Sequence, residues 1–274
     1  MAEINNQYDF FKLINVNDAG NLEISTGADY VTNAALGNID GTGVVNKFGF
    51  NADVDTGSEE VIASFGGGIN IMTTADTLDI VSSDANDTAA GAGGRLLLVQ
   101  GIDENFLAVE EYVSMNGLTP VTTVNSYLGV NRVYVVQTGT AQVNVGNITI
   151  TDTAASVGIQ AQIPEGASVT QQCIYHTPIS KTFLLDYMKI SALKLSGGGG
   201  SPVVEIRGYS FSRVTNTLYN VVDFQIDTSV ENTLSLSIKN PITFTGREVI
   251  FFTAETDVNN TKVSMRFSGI ESNS

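Results

Sequence analysis

Few side chains in this chain are able to do chemistry, and their spacing argues against a catalytic centre. It holds one histidine, His176, and one cysteine, Cys173, three residues apart in Gln172-Cys173-Ile174-Tyr175-His176. A thiol nucleophile needs its imidazole base within hydrogen-bond reach. On a strand, positions three apart point to opposite faces. A Cys–His dyad is therefore disfavoured, and a small half-buried thiol is expected. His176 lies close to Pro178. It is expected to be hydrogen-bonded in a turn, with pH sensing or an interface role as the functional alternative. A lone His and a lone Cys exclude His-rich and Cys-rich zinc sites and disfavour a Ser-His-Asp triad. One cysteine permits no disulfide within the chain.

Carboxylates are the plentiful group. They pair at Glu59-Glu60 and Glu110-Glu111 and cluster in Asp84-Ala85-Asn86-Asp87. A glycosidase places two carboxyl groups roughly 5–10 Å apart in a cleft. With 29 acids in 274 residues, adjacent pairs are expected as solvated surface instead. The Asp84–Asp87 loop lacks the glycine and terminal glutamate of an EF-hand, so a turn held by Asp and Asn side chains is expected rather than a calcium site. Gly197 to Gly200 lacks the Lys-Ser/Thr that follows a phosphate-binding loop. It reads as a flexible hairpin loop before Pro202. The sequons at Asn86, Asn147 and Asn259 matter only in a secretory pathway. Tyr30, Tyr112, Tyr127, Tyr209 and Tyr219 are candidates for stacking on sugars, against the ordinary expectation of strand packing. No catalytic residue, cofactor or metal is expected.

The charge balance narrows the partners. Thirteen Lys and Arg against 29 Asp and Glu give a net charge of −16. Such a surface repels phosphate backbones and anionic lipid, so neither nucleic acid nor membrane is expected as a partner. No apolar run reaches the length of a membrane-spanning helix. The N-terminus has neither the basic nor the apolar region of a signal peptide, which implies synthesis in a cytoplasm.

The elements that must carry these side chains read as strands. Leu234, Leu236 and Ile238 alternate with polar residues, as do Val263, Met265 and Phe267, Ile148 and Ile150, and Ile159, Ala161 and Ile163. Continuous runs at 96–99, 133–136 and 249–252 predict strands buried on both faces. Turn residues recur every ~8–12 positions, as in a sandwich or barrel. The expected fold is all-β: two antiparallel β-sandwich, jelly-roll-like domains with an extended N-terminal arm. Residues 1–20 are the arm, 21–75 an extended loop-rich segment, 76–160 the first sandwich and 161–274 the second. Phe10, Phe11, Leu13 and Ile14 make the arm apolar and are the candidate interface residues.

Several phrases carry a family resemblance. Val45-Asn46-Lys47-Phe48-Gly49-Phe50-Asn51 with Asp53-Val54-Asp55-Thr56-Gly57 is one. Met115-Asn116-Gly117-Leu118-Thr119-Pro120-Val121, continuing through Asn131-Arg132-Val133-Tyr134-Val135 and Asn144-Val145-Gly146-Asn147-Ile148, is another. Ile174-Tyr175-His176-Thr177-Pro178 is a third. Together they resemble virion structural proteins of tailed bacteriophages, many from marine and cyanobacterial phages. The resemblance implies a non-enzymatic virion component, a capsid decoration, cement or head-fibre protein, with a neck or tail component as the alternative. It implies a homo-oligomer, such as a trimer, that contacts the major capsid protein or neck and tail proteins.

Overall fold

The computed structural model describes residues 13–16, 22–25, 27–154, 158–195 and 200–274, with side chains from residue 31 onward. The chain begins with a hairpin of β1 (Leu13–Val16) and β2 (Leu22–Ser25), followed by α1 (Gly27–Ala35). Next come β3 (Thr42–Val54) and β4 (Glu60–Val61). A smaller body follows, made of β5 (Leu78–Ser82), β6 (Gly94–Ile102), β7 (Ala108–Ser114), β8 (Val121–Thr122), β9 (Gly129–Thr138), β10 (Ile148–Asp152) and β11 (Ile159–Ile163). The rest is β12 (Ile174–His176), β13 (Lys181–Lys194), β14 (Val203–Ser212), β15 (Thr217–Asp227), β16 (Thr233–Phe244), β17 (Glu248–Thr256) and β18 (Thr261–Asn273). The described residues are nearly all β, and the ladders between named strands are antiparallel.

The larger core draws on two sheets. One has the order β16-β13-β18-β3, and the other runs β12-β17-β14-β15 with β4 also on β17. Phe183, Leu185, Met188 and Ile190 from β13 and Val263, Met265 and Phe267 from β18 meet Val204, Ile206, Ile250 and Phe252 from the facing sheet. Phe183 is the hub, with ring centroids of Tyr175, Phe244 and Phe267 at 5.4, 6.0 and 6.2 Å. A fully buried Phe contributes roughly 1.5–3 kcal/mol. On β13 the inward set changes parity between Leu185 and Met188. A bulge between Leu185 and Tyr187 takes up the extra residue, so both halves of the strand face the core.

The smaller core joins the sheets β11-β10-β5-β8 and β7-β6-β9 through Leu78, Ile80, Leu97, Val99, Val133, Ile148 and Ile150. Ala161 and Ile163 of β11 belong to it as well. The chain therefore stays in this body past residue 160, where the sequence places the change of domain. Residues 21–75, expected to be loop-rich, contain a nine-residue helix and the 13-residue β3. β3 completes the larger sheet through its ladder with β18; its Val45 and Val54 reach the core, while Lys47, Gly49 and Asn51 between them are buried on the same inward side.

A third cluster of Val61, Ala63, Ile174, Val249 and Phe251 lies on the other face of β17, covered by Phe65, Ile69 and Ile71. This explains why Val249 to Phe252 are all buried, as the continuous run predicts. The runs at 96–99 and 133–136 differ from that expectation. Leu97, Val99 and Val133 are buried, whereas Leu96, Leu98 and Tyr134 are only partly covered and Val136 is exposed. Their sheet has a core on one side alone.

Candidate functional site

The densest polar chemistry lies where the smaller body joins the larger. β4 and β12 sit end to end along one edge of β17, pairing with Thr253–Ala254 and with Val249–Phe251. Between them Ile62 N donates to Phe252 O (2.9 Å), Phe252 N to Cys173 O (3.1 Å) and Cys173 N to Ile62 O (2.9 Å). The two pieces behave as one broken strand, and residues 63–172 are an excursion from it.

The Lys47-x-Gly49-x-Asn51 alternation of β3 lies beneath this break. Gly49 has no room for a side chain. A Cβ there would lie 2.5 Å from Ile62 O, 2.7 Å from Cys173 N and 2.8 Å from Gln172 Cα, all main-chain atoms. Lys47 and Asn51, two residues to either side, share its face and clamp the join. Asn51 Nδ2 donates to Glu60 Oε2 (2.9 Å) and Val61 O (3.3 Å). Lys47 Nζ donates to the Asn131 carbonyl of the smaller body. Burial, with Arg132 nearby, holds the Lys47 amine well below its usual range.

From the other side, Asn131 grips the main chain of His176. Its Oδ1 accepts from His176 N (2.7 Å) and its Nδ2 donates to His176 O (3.0 Å). Gln172 Nε2 donates to Val130 O (3.0 Å), and Arg213 donates to Leu128 O (3.0 Å) and Met72 O. Burial pushes the Arg213 guanidinium down to about 10. The His176 ring packs on Gly129, where an added Cβ would lie 2.3 Å from Nδ1. Its main chain is bonded, but Nδ1 has no hydrogen-bond partner among the described residues. That differs from the expected hydrogen-bonded side chain. Burial, reinforced by Arg213 and Lys47, holds the imidazole well below its usual value. The neutral ring fits because burial first, and then the neighbouring Arg213 and Lys47, disfavour a second proton on it.

Cys173 points away from His176, into the larger core, where Sγ–H donates to Met265 O at 3.3 Å. It is fully buried rather than half-buried, and burial pushes its thiol up, away from the reactive thiolate. The strand geometry thus separates thiol and imidazole, as their spacing predicts. A groove of about 590 Å³ beside the join is lined by Lys47, Arg132, Lys181, Glu110, Tyr175 and Glu271. Within it Tyr175 Oη donates to Glu271 Oε1 at 2.5 Å.

No protein-family model matches this chain. No curated protein matches it either. Among solved structures, the infectious bursal disease virus VP2 subviral particle is similar at 10% identity, over 84% of this chain and 72% of that chain, with a TM-score of 0.21. The infectious bursal disease virus Gx strain structure is similar at 10% identity, over 84% and 70%, with a TM-score of 0.18. Likeness this slight carries no argument.

The other candidate residues are held in structural roles. Asp87 is fully buried and accepts from Ser82 Oγ (2.6 Å), Gly94 N (2.6 Å), Val145 N (3.0 Å) and Gly146 N (2.9 Å). Asp84 Oδ1 accepts from Asn86 N (2.8 Å), the Asp-held turn the sequence predicts. The paired acids are engaged rather than merely solvated. Glu59 bonds Arg207 (2.9 Å) and Tyr209 (3.2 Å), Glu60 accepts from Gly67 N (3.1 Å), and Glu111 accepts from Val124 N and Asn125 N (3.0 and 2.7 Å). Among the described residues no three His, Cys, Asp or Glu side chains gather into a metal-binding group.

Tyr127 is buried and Tyr209 stacks on Phe251 at 5.2 Å. Tyr112 and Tyr219 are exposed but lie on β7 and β15, in different sheets, so the tyrosines form no common platform. Gly197 to Gly199 and the side chain of Tyr30 lie outside the described residues, as do Phe10 and Phe11. Leu13 and Ile14 fall in β1, described by its backbone alone. Asn131 and Arg213 are the working residues that sequence reading passes over, whereas Asp87 belongs to the acidic turn it singles out. Among the missed residues only Lys47 carried a signal, as a charged residue on the inward parity of a strand.

Proposed function

We propose that the chain is a non-enzymatic structural protein of a bacteriophage virion, a capsid decoration, cement or head-fibre component acting through subunit–subunit β interfaces. The observation that carries this reading is the strand order of the larger body. Count β3 as strand one, the β4/β12 line as two, and β13 to β18 as three to eight. The two sheets then run 1-8-3-6 and 2-7-4-5. This is the order of an eight-stranded jelly roll, an architecture that viral capsid domains share with lectins and cupins. The smaller body is inserted at strand two, where it stands off one edge of the roll. The bacteriophage assignment comes from the sequence resemblance at residues 45–51 and 115–149.

The side-chain chemistry favours the structural branch of that architecture. The one histidine is buried and neutral, the cysteine is a core residue, and the paired acids hold main-chain amides or Arg207. A net charge of −16 keeps free copies apart before assembly. The partners are then further copies of the chain, as a trimer or other ring, and the major capsid or neck and tail proteins. Its place is the virion, after synthesis in the host cytoplasm. Fitting the coordinates into an electron-microscopy map of intact particles tests this. Density on the head surface is the expected result. Density at the neck or tail overturns the head assignment, and absence from purified particles overturns the virion reading.

A further inference from the structure

The outer face of the β16-β13-β18-β3 sheet is cationic, in a chain with more than twice as many acids as bases. Core-facing residues of β13 and β18 alternate with Lys189, Lys262 and Arg266, and β16 adds Lys239 on the same face. Lys189 is directly opposite Arg266 in the ladder, and Arg266 is opposite Phe48. Like charges placed directly across a sheet repel. None of these four cations pairs with a carboxylate among the described residues. The outward positions around them are Asn46, Phe48, Phe50, Tyr187, Ser191, Ser235, Ser237, Ser264 and Ser268, and the acids on this face are Asp53 and Asp186, each at a bulge. Lys262 Nζ lies 5.1 Å from the Phe50 ring centre, and Phe48 is 39% exposed. Phe48, Phe50, Lys189, Lys262, Ser264 and Arg266 line a shallow groove of about 410 Å³.

The same chain carries a segment of the opposite character. β1 and β2 pair only with each other among the described strands. A lone two-stranded hairpin is marginal in water until another surface covers it. Residues 1–26 contain Glu3, Asp9, Asp18 and Glu23 against the single base Lys12, with Phe10, Phe11, Leu13, Ile14, Leu22 and Ile24 as apolar content. The segment thus offers acids to the cations and apolar residues to the two phenylalanines.

We propose that the cationic, phenylalanine-lined outer face of β3, β18 and β13 is the docking site for the acidic N-terminal segment, residues 1–26, of a second copy of this chain. Donor and acceptor are different surfaces, so the contact is head-to-tail and closes into a ring where the rotation permits. The proposal deepens the reading of the chain as a self-associating structural protein.

The test uses full-length chains in solution, so its result does not depend on where the chain sits in a particle. Cys173 is buried, so an added surface cysteine is the reactive one. One chain carries Asn15→Cys and another Ser264→Cys. Mixed and treated with a short bismaleimide, they give a cross-linked dimer, which fails to form when the acceptor also carries Lys189→Glu and Arg266→Glu. Adding Asp9→Lys, Asp18→Lys and Glu23→Lys to the donor restores the dimer. Circular dichroism melting checks that the charge-reversed chains stay folded, as exposure of Lys189 and Arg266 leads one to expect. Three results overturn the proposal: no cross-link between chains, a cross-link indifferent to charge reversal, or cross-linking confined to one chain carrying both cysteines. Retention of duplex DNA that charge reversal abolishes, with chain-to-chain cross-linking unchanged, also overturns it and assigns the face to nucleic acid.

Discussion

Acid sensitivity at the join between the two bodies follows from His176. Its imidazole is buried, Nδ1 has no hydrogen-bond partner among the described residues, and Arg213 and Lys47 both disfavour a second proton there. The unfolded chain has no such environment, and its histidine titrates near the ordinary value of ~6.5. The folded pKa is lowered, so between the two pKa values the unfolded state binds a proton that the folded state refuses. Stability therefore falls as pH drops through the unfolded pKa, and it keeps falling until the folded pKa is reached. At 1.36 kcal/mol per pH unit below the unfolded value, going from about pH 8 to about pH 5 costs at most roughly 2 kcal/mol from this group alone. His176→Gln keeps a polar side chain that cannot titrate. It leaves in place the Asn131 bonds, which hold the main chain of residue 176. The measurement is urea unfolding of both proteins across that range. Carboxylate contributions are common to both and cancel in the difference. The wild type is expected to lose more stability than the variant by pH 5, up to about 2 kcal/mol. Parallel stability curves would show that the imidazole takes up its proton in the folded state as readily as in water, and the reasoning fails.

Three further outcomes are expected. Asp87→Ala strands the amides of Gly94, Val145 and Gly146 and the Ser82 hydroxyl in a buried turn. With unmet buried groups costing about 1–3 kcal/mol each, a loss above ~3 kcal/mol is expected in thermal unfolding, and a loss below ~1 kcal/mol refutes the role. Gly49→Ala drives a methyl into the main chain at Ile62 and Cys173. It should cost more than the ~1–3 kcal/mol of ordinary overpacking, while Phe50→Ala on the opposite face should cost less, as chemical denaturation of both will show. Cys173 should resist Ellman's reagent in the folded protein and react at the rate of unfolding, because its thiol is buried with a raised pKa. Prompt labelling without denaturant would contradict the burial.

How much of this was legible in the sequence depended on the range of the interactions. Alternation at Val263, Met265 and Phe267 marks a one-faced strand because the side-chain period is local. The run Val249 to Phe252 announces a strand covered on both sides, but 96–99 and 133–136 look the same and are covered on one. What differs is the loop bearing Phe65, Ile69 and Ile71, which lies over β17 and is remote from it in sequence. β3 was missed for a related reason. Its inward residues include Lys47, Gly49 and Asn51, so its inner face does not look apolar. Those residues face a join in the main chain, not a hydrocarbon core, and that is visible only once Asn131 and the β4/β12 line are in place.

That join bears on how the two bodies behave mechanically. An inserted domain is commonly tethered by two flexible linkers that leave it free to swing. Here the outgoing and returning chains are hydrogen-bonded to the same strand, β17, on consecutive residues. Gly49 lies against both chains from the facing sheet, and Lys47, Asn131, Gln172 and Arg213 tie the two bodies across the seam. A hinge at this point would have to break ladder bonds of the larger sheet and expose Cys173 and Ile62, both fully buried. The smaller body is thereby held at a set angle to the larger. Force applied to it passes into β17 and, through β14, into the sheet that packs against Phe183. A projection joined in this way transmits load instead of flexing, which suits a particle component more than a lid that must open over a substrate.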